Sequence, residues 1–138
     1  MRNLTISINI EYKRNRTWGW NPTATVTAVL DGVRTDTTTG KASGGGYDKL
    51  SAAVCRAFSE NPLLQTLLMW DGWQTDTEAY GPAVVREHEW SFGGMGMSAL
   101  LRHLRANGCH VTETLDKQCD PVAYTATRDM PASFVALV

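Results

Sequence analysis

The sequence predicts an α+β fold: an antiparallel sheet, or two small sheets, with two helices packed on one face, in the order βββα(α)βαββ. Three observations lead there. Residues 4–12 and 23–30 alternate apolar and polar side chains with the period of a half-buried strand. Asp31-Gly32 follows the second of these runs, where a two-residue hairpin turn needs positive φ. Two glycine-rich stretches, Ser43-Gly44-Gly45-Gly46 and Gly93-Gly94-Met95-Gly96, each lead into an amphipathic helical pattern.

The first strand places Leu4, Ile6, Ile8, Ile10 and Tyr12 on one face and Thr5, Ser7, Asn9 and Glu11 on the other. A basic, aromatic loop from Lys13 to Pro22 follows. The second strand, 23–30, sets Ala24, Val26, Ala28 and Leu30 on one side, and the return strand, 33–39, is polar and β-branched. Gly40 to Gly46 closes the meander. Helix one is expected over 47–59, with Tyr47, Leu50, Val54, Ala57 and Phe58 as its apolar stripe. Asn61-Pro62 ends it, because proline pushes the preceding residue out of the α region. Residues 63–70 read as a short helix, 71–82 as a loop and 83–92 as a strand of poorer alternation. The next helix, 95–107, buries Met97, Leu100, Leu101 and Leu104, and Gly108 supplies its positive-φ terminus. Residues 109–115 and 122–128 form a closing hairpin, and the tail FVALV reads as a docked strand or a disordered end.

The chain has 138 residues, 43% of them hydrophobic, which is enough for one core without metal or disulfide staples. No linker composition divides it, so residues 1–138 are read as a single domain. The net charge of -1 excludes a global field that would drive the chain onto nucleic acid or membrane. The charge is nonetheless uneven: residues 1–58 carry a net +4 and residues 59–138 a net -5. Cys55, Cys109 and Cys119 form no CxxC pair, so no disulfide framework is implied and a reducing compartment is expected. MRNLTISINI lacks the apolar region of a signal peptide, and no run reaches transmembrane length, so no membrane association is expected.

No acid, base and nucleophile can be assembled from spacing, so the sequence predicts neither an enzyme nor a cofactor site. In Glu87-His88-Glu89, a strand would turn the histidine away from both glutamates. Cys109, His110 and Cys119 lack the tight ligand pair of a zinc site, and Asp71, Asp76 and Glu78 lack the order of a calcium loop. What remains is binding. The glycine run before helix one offers an anion site at Gly45, Gly46 and Lys49, because a helix N-terminus presents free N–H groups. The competing reading is a tight turn, with Asp48 complementing the helix dipole. Lys13, Arg14 and Arg16 beside Trp18 and Trp20 form a candidate partner surface: cations pair with phosphates, and indoles stack on bases or anchor protein interfaces. Arg102 and Arg105, in line with Ser98 on the later helix, form a second candidate contact stripe.

Three antiparallel strands, a glycine turn and an alanine-rich helix resemble the βββα part of a double-stranded RNA-binding domain. The likeness covers about residues 4–60 and is topological. It implies phosphate contacts at the helix start, where Lys49 stands, and a groove-entering loop at Lys13–Pro22. Asp48 and Leu50 depart from that family's basic cluster, its leading helix is missing, and a second half is appended. The phrases TGKASGGGYDKLSAAV and GGMGMSALLRHLRANG are similar to phrases in small accessory proteins of phages and bacterial mobile elements, over about residues 35–110. That resemblance implies a mobile-element accessory protein. With the absent catalytic motifs and five tryptophans, it leads to the expectation of a non-enzymatic protein in the bacterial host cytoplasm that docks on a host or defence protein, with inhibition as one consequence of such docking. A nucleic-acid-binding module and a small enzyme are the alternatives.

Overall fold

The structure, a computed structural model, describes residues 1–15, 19–42, 47–74, 83–86, 89–91, 97–118 and 121–138. Along these the chain runs β1 (Arg2–Asn15), β2 (Gly19–Leu30), β3 (Arg34–Lys41), α1 (Tyr47–Glu60), α2 (Pro62–Met69), β4 (Ala83–Arg86), β5 (Glu89–Ser91), α3 (Met97–Ala106), β6 (His110–Leu115), β7 (Pro121–Met130) and α4 (Ala132–Val135). The fold is α+β in the expected order. Five strands form an antiparallel sheet ordered β3-β2-β1-β7-β6, and β4 and β5 pair separately.

Alternation sets the two faces of the sheet. Ile8 pairs in register with Val26 on one side and Tyr124 on the other, and all three are buried. The same face carries Leu4, Ile6, Ala24, Ala28, Leu30, Ala126 and Met130. Against it pack Leu50, Val54, Ala57 and Phe58 of α1, Leu63, Leu64 and Leu67 of α2, Met97, Leu100 and Leu104 of α3, and Phe134 of α4. Each fully buried side chain of this size is worth about 1.5–3 kcal/mol. The opposite face is open and rich in threonine. One row across the strands reads Thr37, Thr27, Ser7, Thr125, Thr112, and the next Thr39, Thr25, Asn9, Ala123, Thr114.

The helices are tied to the sheet by polar contacts as well. Gly40 in β3 lies against the α1 backbone: a Cβ there would run into the Ala53 carbonyl oxygen and the Ala57 nitrogen. Asn61, fully buried, joins α1 to α2. Its side-chain oxygen accepts from the Leu64 N–H (3.2 Å), an N-cap with Pro62 following in the first turn. Its amide donates to the Asp36 carbonyl of β3 (3.0 Å). Asn61→Ala removes the cap and the amide that donates to the Asp36 carbonyl, an expected loss of about 2 kcal/mol in urea unfolding. Asn61→Asp restores only the cap, so its stability is expected to stay below wild type; full recovery would show that the donor to Asp36 contributes nothing. At the far end of α3, the Gly108 N–H donates to Arg105 and the Cys109 N–H to Leu104, with Gly108 at φ 82, a Schellman terminus as expected.

Four expectations are corrected. The Lys13–Pro22 loop is largely strand, since the β1–β2 ladder continues to Asn15↔Gly19. Pro22 is tolerated because its backbone edge points toward β3, which ends at Thr23↔Lys41, so no β1 bond is lost. The Asp31-Gly32 turn is a three-residue connection, with Leu30 paired to Arg34 and the Val33 N–H donating to the Leu30 carbonyl (2.9 Å). The strand expected over 83–92 is two short strands paired to each other, with a register shift between Val84 and Arg86. The FVALV tail is neither strand nor disordered. Pro131 opens α4, and Phe134, Val135 and Val138 fall at helical spacing, with Phe134 buried 5.4 Å from the Trp70 ring.

Candidate functional site

β1 and β2 outrun their neighbours. The β1–β7 ladder ends at Asn9↔Ala123, and the β2–β3 ladder ends at Thr23↔Lys41. Beyond both, the β1–β2 ladder continues through Tyr12↔Pro22, Lys13↔Asn21, Arg14↔Trp20 and Asn15↔Gly19, and the Ala42 N–H donates to the Pro22 carbonyl (3.3 Å) at its base. The result is a two-stranded ribbon projecting from one end of the sheet. At about 3.4 Å per residue it extends roughly 14 Å past the last β3 rung.

A cavity of about 560 Å³ opens at the base of this ribbon, lined by Asn21, Thr23, Lys41, Ala42, Lys49, Ala52 and Arg56. Lys49, Ala52 and Arg56 stand at i, i+3 and i+7 on α1, one face of the helix, and the alanine leaves room between the two cations. Lys41 arrives from the end of β3, and the Arg56 guanidinium donates to its carbonyl (3.0 Å). All three cationic side chains are exposed, and among the described residues no carboxylate lines the cavity. The space suits a small polyatomic anion or a stretch of phosphodiester.

Of the residues expected to hold an anion, Lys49 lines this cavity, together with Lys41 and Arg56, which the sequence reading did not single out. The i, i+7 spacing of Lys49 and Arg56 was the available signal for one of them. Gly45 and Gly46 lie outside the described residues, in the connection from Ala42 to α1. Lys13, Arg14 and Trp20 occupy ribbon positions, while Arg16 and Trp18 lie outside the described residues. Arg102 and Arg105 are exposed on α3 and line no part of the cavity.

The other chemically distinctive cluster is internal. His103 is fully buried on α3, and its Nε2 accepts from the Trp73 indole N–H (2.8 Å). Burial lowers its pKa to about 4, which keeps it neutral and able to accept. The Arg128 guanidinium lies 5.9 Å from the Trp70 ring and 5.7 Å from the Trp73 ring, and donates to the Asn107 carbonyl (2.7 Å). Burial pushes the Cys109 thiol up to about 11, well away from a reactive thiolate. The arrangement fastens α3 to β7 and to the segment after α2. His110 faces outward on β6, and Cys119, Glu87 and His88 lie outside the described residues. Among the described residues no group of His, Cys, Asp or Glu could hold a metal ion, and no helix is long and apolar enough to cross a membrane.

Comparison with protein-family models, with curated proteins and with solved structures finds no match.

Proposed function

We propose that the protein is a non-enzymatic binding module whose ligand is the phosphate backbone of a nucleic acid. The observation that carries this reading is the groove in which Lys41, Lys49 and Arg56 face solvent, with no carboxylate among its described lining residues. It opens at the foot of a ribbon carrying Lys13 and Arg14. The positive balance of residues 1–58 thus gathers at one end of the sheet, and a local field of that kind concentrates a polyanion despite a net charge of -1. The groove holds the backbone and positions it, as phosphate contacts do.

Three phosphate contacts predict that log K falls against log salt with a slope of about -2.7 for duplex DNA, and about -2 for a single strand. Lys49→Ala and Arg56→Ala are each expected to weaken binding across all sequences and to reduce that slope by about 1, read by fluorescence anisotropy. The proposal fails if neither DNA nor RNA binds at low salt. Docking on a host protein through Trp18 and Trp20, the leading expectation from the sequence, then takes its place.

A further inference from the structure

We infer that β3 is a self-docking edge: two copies of this chain join β3 to β3 about a two-fold axis at Thr37, doubling the five-stranded sheet. β3 ends that sheet, and among the described residues no strand pairs with its far side. Two contacts show which residues face outward. The Ala42 N–H donates to the Pro22 carbonyl, which sets the even-numbered residues of β3 in hydrogen-bonding register with β2. The Lys41 carbonyl accepts from the Arg56 guanidinium (3.0 Å), as an outward-facing group can. The odd-numbered residues therefore turn their backbone N–H and C=O away from the sheet. With the Lys41 carbonyl taken, the open run is Thr35, Thr37 and Thr39, whose side chains are all exposed. The opposite edge is guarded. β6 has six residues, exposes Glu113 and His110, and shifts register between Thr114 and Leu115, whereas β3 has eight residues in unbroken register.

The open run is its own complement, which points to a second copy as the occupant. Residues opposite one another in an antiparallel pair share a face, so odd positions must meet odd. An axis at Thr37 sets Thr35 opposite the partner's Thr39 and Thr37 opposite the partner's Thr37. Every N–H and C=O of the run is then matched, about six hydrogen bonds in all. An axis at Asp36 would oppose two carboxylates, and an axis at Thr38 would set Thr35 against Lys41, whose carbonyl is already bonded. Arg34 is closed onto Asp36 (2.7 Å). Thr27 and Thr37 already bond hydroxyl to hydroxyl across β2 and β3 (3.1 Å), and the axis repeats that pairing at the seam. The helices also fit. α1 lies across β2 and β3: its backbone meets Gly40, and Asn61 at its end donates to the Asp36 and Val26 carbonyls. A helix midway between strands about 4.8 Å apart stands about 9.6 Å from its two-fold mate, the spacing of packed helices.

The test is sedimentation velocity of the full chain over a dilution series. Wild type is expected to pass from twice the mass of the chain to the single chain on dilution. Thr37→Pro removes the N–H at the axis, which makes no bond to β2, so the fold tolerates it as it does other edge prolines. That variant is expected to stay at the single-chain mass with unchanged far-UV circular dichroism. Thr37→Lys tests the same point without a backbone change. It sets two cations opposite each other at an exposed position and is expected to raise the dissociation constant about tenfold. Register is read by oxidising cysteine variants beside the wild type. Thr37→Cys is expected to cross-link, because opposed residues lie about 5.5 Å apart, within disulfide reach. Thr35→Cys, about 14 Å from its mate, is not. A dimer insensitive to both Thr37 substitutions, or equal cross-linking at 35 and 37, overturns the inference. A single chain at every concentration overturns it too, and leaves the β3 edge to an extended peptide of another protein.

Discussion

Replacing Gly40 with alanine is expected to destabilise the protein by about 3 kcal/mol, measured as a fall in the urea midpoint with unchanged slope. The new methyl would meet the Ala53 carbonyl oxygen and the Ala57 nitrogen, both backbone atoms of α1. Backbone cannot rotate away as a side chain can, so the helix must retreat from β3. That retreat weakens the contacts of the buried Ala53, Ala57 and Phe58 and opens the hydrogen bond from Thr38 to Ala57. Because domains are typically stable by only 5–15 kcal/mol, the loss is a large share of the margin. Gly108→Ala is the control. Its Cβ meets nothing within 4 Å, and the only cost is alanine at φ 82, about 1 kcal/mol. Equal losses at the two positions would show that conformational strain, not the close approach of α1, governs Gly40.

Acidification is expected to cost the protein roughly 3 kcal/mol through His103 alone. The folded state holds this histidine neutral with a pKa of about 4, against 6.5 for the free side chain. Above about pH 6.5 neither state binds the proton and the contribution is flat. Between about pH 6.5 and 4 only the unfolded chain takes the proton, so stability falls steadily as pH falls. Below about 4 the folded state protonates too, and the Trp73 indole then faces a second donor in place of an acceptor. His103→Gln retains an acceptor without titrating in this range. The difference between wild type and variant across pH 7.5 to 4 isolates the effect. An identical pH slope in both proteins would assign the acid sensitivity to carboxylates.

The parts of the fold that were legible in the sequence are those where burial writes a period into it. β1 and β2 alternate because one face lies on the core, and α1 and α3 show apolar stripes for the same reason. Gly108 was legible because a Schellman terminus needs a residue at positive φ. The ribbon was not, because the apolar–polar alternation of β1 stops at Tyr12 while the ladder continues to Asn15. The tail was misread because its helix is one turn long, too short for a period to emerge. The groove was half legible. Lys49 and Arg56 share a helix face, but Lys41 joins them only through the packing of β3 on α1. His103 gave no signal at all. It sits within the buried stripe of α3, and only the Trp73 side chain, thirty residues earlier, explains how a polar ring can be there.

The position of β1 at the middle of the sheet governs the order in which the molecule can be assembled. β2 follows β1 directly and can zip onto it as a local hairpin during synthesis. The other edge of β1 is matched by β7, in a ladder that sets Arg2 opposite Met130. At about 5–20 residues per second, the ribosome leaves that edge without its partner for roughly 6–25 seconds. The pairing that completes the sheet joins contacts of high sequence separation, which fold slowly. It also brings residue 2 beside residue 130, so a circular permutant joined there and reopened at the exposed Asp31–Val33 connection would swap which of the two β1 hairpins is born first.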